Sequence, residues 1–414
     1  MTNFRGPERS ELRLSGPEAG VSGKGELRRE NRRVILEALF RTPAASRIDL
    51  VRTTGLSPST VGQIAGELLA EGILVESGIV DLKRGRKPRL LQVNPDAGRV
   101  LGLELSGRTA AVYDLRCNER ASFAVLAQER DLAPEKLARA LADHVRALQR
   151  SGPPLVALGV SVPGRVETES GFVVTSAPLG WSDVPLGAML AEATGLPTVV
   201  QPNMVSLVLE EAASGIAKGV RNFLYLHVGM RGIAAGIAVG GAILHGAHGS
   251  AGEIGHVQVD PGGPPCHCGK RGCLGAVASG EAVLAAAKSA FAAAGRESGP
   301  ASIHDLAHAA SSGDPIARLH VERAGAVIGE ALAGAINLVD PELVAVGGAF
   351  AEEAAEILLP AIERTALGKS AIRGFVPCAF ALAPGASSRS ARGAARAAIH
   401  RRLTRGFEQS GGQD

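Results

Sequence analysis

The sequence predicts an α/β protein with an N-terminal winged helix-turn-helix, and three observations support this prediction. Short helical patterns joined by a turn, followed by a basic hairpin, occupy residues 24–92. From residue 97 onward, strand and helix patterns alternate, as they do in an α/β domain. Within that second region three cysteines cluster, which indicates a metal site. A chain of 414 residues is long enough for two or three domains.

The composition is that of a globular protein without membrane spans. No apolar run reaches the roughly 20 residues that cross a bilayer, and the N-terminal residues lack the apolar centre of a signal peptide. Three of the five cysteines cluster instead of being spread in pairs, which suits a reducing compartment. We therefore expect a cytoplasmic, nucleoid-associated protein with no membrane partner.

Positive charge is concentrated at the front of the chain. Residues 1–95 hold 16 Lys and Arg against 11 Asp and Glu, a net charge of +5. The remaining residues hold 28 and 30 of these, a net charge of −2. A basic front on a nearly neutral body favours a polyanionic partner such as DNA, although a solvated basic face would give the same counts.

Helical patterns begin after a polar leader. Residues 1–23 are rich in charge, Gly, Pro and Ser, and we expect them to form a disordered leader. Residues 31–40 place apolar side chains on one helical face. A second short helix is predicted to begin at Ser46 and to end near Gly55.

A third helix follows and presents polar side chains at its start. Ser57 is a suitable N-cap and Pro58 suits the first helical position. Two helices joined by a tight turn are typical of a helix-turn-helix, whose second helix enters the major groove. Gln and short hydroxyl side chains can hydrogen-bond base edges there. The predicted DNA contacts on this helix are Ser57, Ser59, Thr60 and Gln63.

Two strand patterns after Gly72 flank a basic loop, and together they predict a wing. Cations in such a loop suit phosphates or the minor groove. A small helical packing module with a solvated basic hairpin remains an alternative interpretation. The predicted wing contacts are Lys83, Arg84, Arg86 and Lys87.

The body of the chain alternates between strands and helices. Strands are predicted at 155–162 and 223–228, and helices at 134–149 and 186–194. This alternation is typical of an α/β fold.

A histidine and three cysteines in the body have the spacing of a closed zinc site. Cys266, Cys268 and Cys273 lie within eight residues, and His256 precedes them. Three thiolates and one imidazole complete a tetrahedral Zn²⁺ site and leave no position for a reactive water, so the zinc is expected to be structural. The alternative is a cluster of buried or free thiols.

The same region resembles a known family. Gly-Glu-Ile-Gly-His at 252–256, followed by Cys-His-Cys-Gly-Lys-Arg-Gly-Cys-Leu at 266–274, resembles the signature of the ROK family. That family contains sugar kinases and sugar-responsive repressors, and many of its repressors begin with a winged helix-turn-helix. The resemblance implies that Glu253 and His256 contact a sugar.

The resemblance also implies a two-lobed fold shared with actin and hexokinase. The first lobe would comprise residues 97–203, completed by 390–405, and the second lobe would comprise residues 204–389 with the zinc loop. The resemblance implies that the zinc loop shapes one wall of a sugar pocket. The residues that the resemblance assigns to sugar contact are Gly164, Asn203, Glu253 and His256.

Some of the sugar contacts that the family uses are absent here. Gly275 stands where the family has a Glu, and Val205 stands where it has an Asn. The ligand could therefore be a different sugar, an amino-sugar or a phosphorylated derivative. A pocket that has lost its ligand remains the alternative.

The kinase elements that the family uses are altered. The first phosphate loop, Asp-x-Gly-Gly-Thr in the kinases, reads Glu-Leu-Ser-Gly-Arg at 104–108. Asn203 stands where a kinase has its catalytic Asp, and an amide cannot accept the proton of the attacking hydroxyl. The second phosphate loop departs from the family at Arg231 and Ala234. We therefore expect no enzyme activity.

Together these features predict a DNA-binding transcriptional regulator, a repressor, whose ROK domain senses a sugar or sugar derivative. A two-fold operator requires two recognition helices about one DNA turn apart, so a homodimer or homotetramer on an inverted repeat is expected. Two alternatives remain: a ROK sugar kinase with an accessory N-terminal domain, and a regulator controlled by a protein partner.

Overall fold

The chain divides into two compact units: residues up to Gln92, together with those from Leu403 onward, form the first, and Val93–Arg402 form the second. The predicted leader at 1–23 lies outside the described residues. Within the described part of the chain, no helix is both long and apolar enough to cross a membrane. The computed structural model describes residues 24–42, 44–79, 89–126, 132–296, 299–371 and 378–405.

The first unit combines helices with a small sheet in the part that is described. Its strands are ordered β1-β3-β2. The helices bury one apolar face each, including Ile35, Leu50 and Leu68. Its elements are α1 (Lys24–Arg41), β1 (Ala45–Ser46), α2 (Arg47–Thr54), α3 (Pro58–Ala70), β2 (Leu74–Ile79) and β3 (Arg89–Val93).

Local capping fixes the ends of the helices in this unit. Ser46 and Asp49 form a capping box at the start of α2. Gly55 follows α2 with a φ of 71°, a conformation that favours glycine. Helix α1 begins at Lys24, earlier than the helix predicted at 31–40. The added turns are rich in Lys, Glu and Arg, which favour helices but carry no apolar period.

The second unit begins with a five-stranded sheet ordered β11-β7-β4-β5-β6. A small antiparallel sheet, ordered β10-β9-β8, lies between β7 and the next helix in the sequence. The elements are β4 (Arg99–Glu104), β5 (Thr109–Asp114), β6 (Glu119–Ala124), α4 (Pro134–Gln149), β7 (Leu155–Val162), β8 (Arg165–Glu167), β9 (Phe172–Ser176), β10 (Trp181–Val184), α5 (Leu186–Thr194) and β11 (Thr198–Pro202).

A second five-stranded sheet, ordered β14-β13-β12-β15-β16, follows in the chain. Helix α10 packs beside α12, and both contribute to its apolar core. The elements are α6 (Asn203–Ser214), β12 (Phe223–Val228), β13 (Ile233–Val239), β14 (Ala242–Ile243), α7 (Leu274–Ala278), α8 (Gly280–Ala293), α9 (Ile303–Ser311), α10 (Pro315–Val339), β15 (Leu343–Gly347), α11 (Ala349–Glu353), α12 (Ala355–Lys369), β16 (Ala379–Leu382) and α13 (Ala386–Arg405).

Glycines allow the C-terminal helix α13 to lie close to the first of these two sheets. A Cβ at Gly102 of β4 would be 2.3 Å from the carbonyl oxygen of Ala391, and one at Gly159 of β7 would be 2.0 Å from that of Ala394. On another side of the helix, a Cβ at Gly393 would be 1.9 Å from the carbonyl oxygen of Ser206 in α6. Helix α13 therefore packs against both the first sheet and α6.

Candidate functional site

The start of α3 is exposed and polar. Ser57 Oγ accepts a hydrogen bond from the Thr60 backbone N–H at 3.1 Å and lies 2.8 Å from both Ser59 Oγ and Thr60 Oγ1. Ser57 is thus the N-cap of the helix, as its sequence position predicted. Ser59 and Gln63 are exposed one turn apart on the same side of α3.

Ion pairs tie α3 to α1 beside these side chains. Arg32 donates to both carboxylate oxygens of Glu71, at 2.7 and 2.5 Å, and Arg28 donates to Glu67 at 3.2 Å. Gln63 Nε2 donates to the same Glu67 at 3.1 Å. The hydrogen bond from Arg28 lowers the pKa of Glu67. The carboxylates of Glu67 in α3 and of Glu71 just after it are therefore paired with arginines, which offsets their negative charge.

The predicted wing contacts Lys83, Arg84, Arg86 and Lys87 lie outside the described residues. The strands that flank them, β2 and β3, are neighbours in the small sheet.

The histidine and the three cysteines converge in the second unit. One ligand atom from each of His256, Cys266, Cys268 and Cys273 lies within 4.8 Å of the other three. The Sγ atoms of Cys268 and Cys273 are 3.6 Å apart, and Cys266 Sγ is 3.6 Å from His256 Nδ1. Cys273 is buried, whereas Cys268 is exposed.

Backbone turns bring these residues together. The Cys266 N–H donates to the Lys270 carbonyl at 2.8 Å, which closes the tight turn that contains Cys268. Gly272 has a φ of 65°, and a Cβ there would be 1.4 Å from the carbonyl oxygen of Asp260. A side chain at this position would therefore open the loop, so glycine is required.

The donor set and its spacing fit a tetrahedral zinc ion. Bonds of about 2.3 Å from zinc to sulfur place the sulfurs of a tetrahedral site about 3.8 Å apart. The 3.6 Å separation of Cys268 and Cys273 is close to that value. His267 Nδ1 is 3.9 Å from Cys266 Sγ, but this imidazole is exposed and lies outside the group of four. The cluster can thus hold a metal ion with its own four ligands.

The residues predicted to contact a sugar lie around β13 and β8. Asn203 begins α6, and a Cβ at Gly236 of β13 would be 3.1 Å from the carbonyl oxygen of the next residue, Met204. Gly252 accepts a hydrogen bond from the Ala235 N–H at 2.8 Å, which places the following Glu253 beside the same strand.

Three further contacts complete this arrangement. Glu253 Oε2 is 3.8 Å from His256 Nε2, and both side chains are accessible to solvent. Gly164 has a φ of 153°, and a Cβ there would be 2.3 Å from the carbonyl oxygen of Thr175, so only glycine fits. A Cβ at Gly249, shortly before Glu253, would be 3.3 Å from the carbonyl oxygen of Val166 in β8.

The loop after β4, where the resemblance places the first phosphate loop, is closed by a carboxylate. Glu104 is buried, and its two carboxylate oxygens accept hydrogen bonds from the backbone N–H groups of Ser106, at 2.7 Å, and Gly107, at 2.6 Å. Ser387 Oγ also donates to Glu104, at 3.1 Å. Sequence reasoning noted the lost Gly and Thr but missed this contact. The feature of the sequence that could have predicted it is the position of Glu104, which precedes Ser106 by two residues and Gly107 by three.

A cavity of about 270 Å³ lies beside the metal-ligand cluster. Two residues of that cluster, His256 and Cys266, are part of its wall, whereas Gly164, Asn203 and Glu253 are not. The remaining wall includes Arg231, His267, Gly275, Ser279 and Glu281. No pattern in the sequence predicted this cavity, because its wall comes from separate segments of the chain.

Comparison with known proteins agrees with this architecture. The ROK family model matches residues 104–401, and a winged helix-turn-helix DNA-binding model matches residues 28–75. The chain is 29% identical over 339 residues to the xylose repressor of Caldicellulosiruptor bescii. The aligned region covers 78% of this chain and 83% of that repressor. It is 34% identical over 238 residues to the glucokinase of Halalkalibacterium halodurans, covering 55% of this chain and 72% of the glucokinase.

Among solved structures, the chain is similar to a ROK family transcriptional regulator described as a homologue of the E. coli Mlc protein. The two share 27% sequence identity and superpose with a TM-score of 0.78, over 92% of this chain and 100% of the regulator. Both expectations drawn from the sequence, the winged helix-turn-helix and the actin- and hexokinase-like body, are confirmed. This chain belongs to the ROK family.

Proposed function

We propose that this protein is a DNA-binding transcriptional repressor whose ROK domain senses a sugar or sugar derivative. The observation that carries this proposal is the joining, in one chain, of a helix-turn-helix with an exposed polar helix start and a ROK body whose phosphate loop is closed by Glu104. Relatives similar along most of their length are named xylose repressor, Mlc repressor and N-acetylglucosamine repressor.

In this proposal α3 enters the major groove. Ser59, Thr60 and Gln63 read base edges, while Ser57 supports them as the N-cap. The basic loop with Lys83, Arg84, Arg86 and Lys87 contacts phosphates or the minor groove. A homodimer or homotetramer presents two such helices to an inverted repeat, and the ligand acts by binding two states of the protein with different affinity.

The proposal is tested with an operator selected from random DNA by the full-length protein. We expect a selected site with two-fold symmetry. We also expect one class of monosaccharide to shift its dissociation constant, measured by fluorescence anisotropy at fixed salt. If the selection enriches no sequence over the others, sequence-specific DNA recognition would be contradicted. A selected operator that no sugar affects would instead favour control by a protein partner.

Gln63→Ala is expected to weaken binding to the operator by about 1–3 kcal/mol while leaving non-specific binding nearly unchanged. Gln63 is exposed near the start of α3, which is proposed to enter the major groove, and its amide donates a hydrogen bond to Glu67. Gln149→Ala is the matched control, because Gln149 is exposed at the end of α4. Equal losses for operator and random DNA would show that Gln63 does not read bases.

We propose that the protein is not an enzyme, in contrast to the glucokinases of the same family. Glu104 occupies the backbone N–H groups of Ser106 and Gly107, which a phosphate would otherwise use. Asn203, at the start of α6, lacks the basicity that proton abstraction requires.

The expected result is no ATP-dependent phosphorylation of hexoses or amino-sugars above background. A coupled assay of ADP release at high enzyme concentration measures this directly. A family glucokinase serves as the positive control. Turnover that increases in proportion to enzyme concentration would establish the kinase alternative.

We further propose that the four-residue cluster binds a structural Zn²⁺. The ligands His256, Cys266, Cys268 and Cys273 supply one imidazole and three sulfur donors, and they complete a tetrahedron without a water position. A zinc there would fix the loop that carries Glu253 and His256. Its removal is therefore expected to affect both stability and sugar binding.

A further inference from the structure

The side-chain amide of Gln63 is held in one orientation by Glu67, one turn later in α3. Gln63 Nε2 donates a hydrogen bond to Glu67 Oε1 at 3.1 Å. An ionised carboxylate can only accept hydrogen bonds, so the amino group of the amide faces Glu67 and the carbonyl oxygen points away from it. Within the described part of the chain, Gln63 Oε1 has no hydrogen-bond partner. Gln63 therefore retains one free acceptor and one free N–H.

Arg28 of α1 holds this carboxylate in place. Arg28 Nε donates to Glu67 Oε2 at 3.2 Å, and Arg28 Nη2 lies 2.5 Å from Oε1, the oxygen that also accepts from Gln63. The hydrogen bond from Arg28 lowers the pKa of Glu67, so its carboxylate is ionised at neutral pH. The acceptor that orients Gln63 is thus fixed by a second helix.

Gln63 has the longest side chain among the exposed residues of α3. The others are Pro58, Ser59, Gly66 and Ala70. A Cβ at Gly66 would meet no atom within 4 Å, so packing does not require a glycine there, although glycine inside a helix costs stability relative to alanine. The face beside Gln63 is therefore bare, and the amide of Gln63 extends furthest towards a base edge.

The two free groups of Gln63 match one base in the major groove. Adenine presents a donor at N6 beside an acceptor at N7, whereas guanine presents two acceptors. Cytosine presents a donor at N4, and thymine presents an acceptor at O4. One acceptor and one N–H of an amide can bond both atoms of adenine but only satisfy part of each other edge.

We propose that Glu67, held by Arg28, is a positioning residue that orients Gln63 to read an adenine in the operator. Gln63 Oε1 accepts from adenine N6, and the second N–H of Nε2 donates to N7 while the first stays on Glu67. Arg28 offsets the charge of the carboxylate, which would otherwise repel DNA phosphates. This inference rests on the proposed DNA recognition by α3.

The experiment measures the affinity of the full-length protein for its selected operator and for every single-base-pair substitution of it, by fluorescence anisotropy at fixed salt. The base pair at which Gln63→Ala loses its preference is the one that Gln63 reads, and we expect an A·T pair there. A G·C pair at that position overturns the inference. An unchanged preference at every position in Gln63→Ala also overturns it.

Glu67→Met removes the acceptor and keeps a side chain of similar length. Gln63 then has to be ordered on binding, so the preference for A·T at that base pair is expected to fall about twofold to tenfold. Glu67→Gln retains an oxygen acceptor for Gln63 Nε2 and is expected to keep more of the preference than Glu67→Met. Equal preferences in the wild type and Glu67→Met overturn the inference and leave DNA recognition intact.

Glu71→Met is the matched control, because Glu71 forms the corresponding ion pair with Arg32 about two helical turns beyond Gln63. This variant removes the same charge and loosens the same two helices. It is expected to change the affinity for all DNA sequences alike and to leave the base preference unchanged. Equal losses of preference in Glu67→Met and Glu71→Met overturn the inference, because a general loosening of α1 from α3 would explain both. If the selection enriches no sequence, the proposed DNA recognition itself fails.

Discussion

Removal of the proposed zinc is expected to destabilise the second unit by at least about 4 kcal/mol, since loss of a structural metal belongs to the most damaging changes a domain can undergo. Cys268→Ser is the variant of choice. Cys268 is exposed, so its replacement removes a metal ligand with little loss of packing. Metal content by mass spectrometry and thermal unfolding with and without a chelator measure the effect.

Two controls separate metal loss from a general effect of mutation. His267→Gln changes an exposed imidazole beside Cys266 that lies outside the four ligands, and it is expected to retain full metal content and stability. A chelator should lower the unfolding temperature of the wild type to that of Cys268→Ser, and should leave the variant unaffected. A metal-free variant as stable as the wild type would contradict the structural role.

Elements with strong local signals were predicted from the sequence. Helix α4 at 134–149 and strand β7 at 155–162 have the predicted bounds, because apolar periodicity and flanking residues determine them locally. The metal-ligand cluster was predicted for the same reason, since three of its four residues lie within one short loop. The start of α2 at Ser46 was also predicted, and it too depends on local residues.

Features that depend on distant residues were not predicted. The cavity wall joins Arg231, His256 and Glu281, which are brought together only when β13 and α8 pack around the zinc loop. The ion pairs between α6 and α13 join residues up to 186 positions apart. The spacing of residues along the chain contains no information on such contacts. The sequence therefore shows which of these residues are charged, but it does not show which residues they pair with.

Those ion pairs involve two adjacent carboxylates that are fully buried. Glu211 Oε1 accepts from Arg389 Nη1 at 2.8 Å, and its other oxygen accepts the Ile216 N–H at 2.9 Å. Glu210 accepts from Arg396 at 3.0 Å and lies 3.6 Å from Arg392. Helix α6 begins at Asn203, a proposed sugar contact, and these pairs join the opposite end of the same helix to α13.

Arg389→Met is expected to lower the free energy of unfolding by about 3–5 kcal/mol at pH 8, because it leaves the carboxylate of Glu211 buried without its cation. Urea denaturation of the wild type and the variant measures the difference. The double variant Glu211→Gln, Arg389→Met removes the charge as well and is expected to recover part of the loss. An effect below about 1 kcal/mol would show that the pair is solvated in solution.

The pH dependence of this loss identifies its cause. Burial already raises the pKa of Glu211, although Arg389 opposes the rise. Without Arg389 the pKa should rise further. A carboxyl whose pKa is higher in the folded state favours folding at low pH, and this contribution is lost as the pH rises through the folded-state value. The difference between Arg389→Met and the wild type should therefore shrink from pH 8 to pH 5.5. The double variant has no carboxylate at position 211, so its difference from the wild type should not shrink in this way. A loss that is independent of pH would indicate lost packing of the arginine side chain instead of an uncompensated charge.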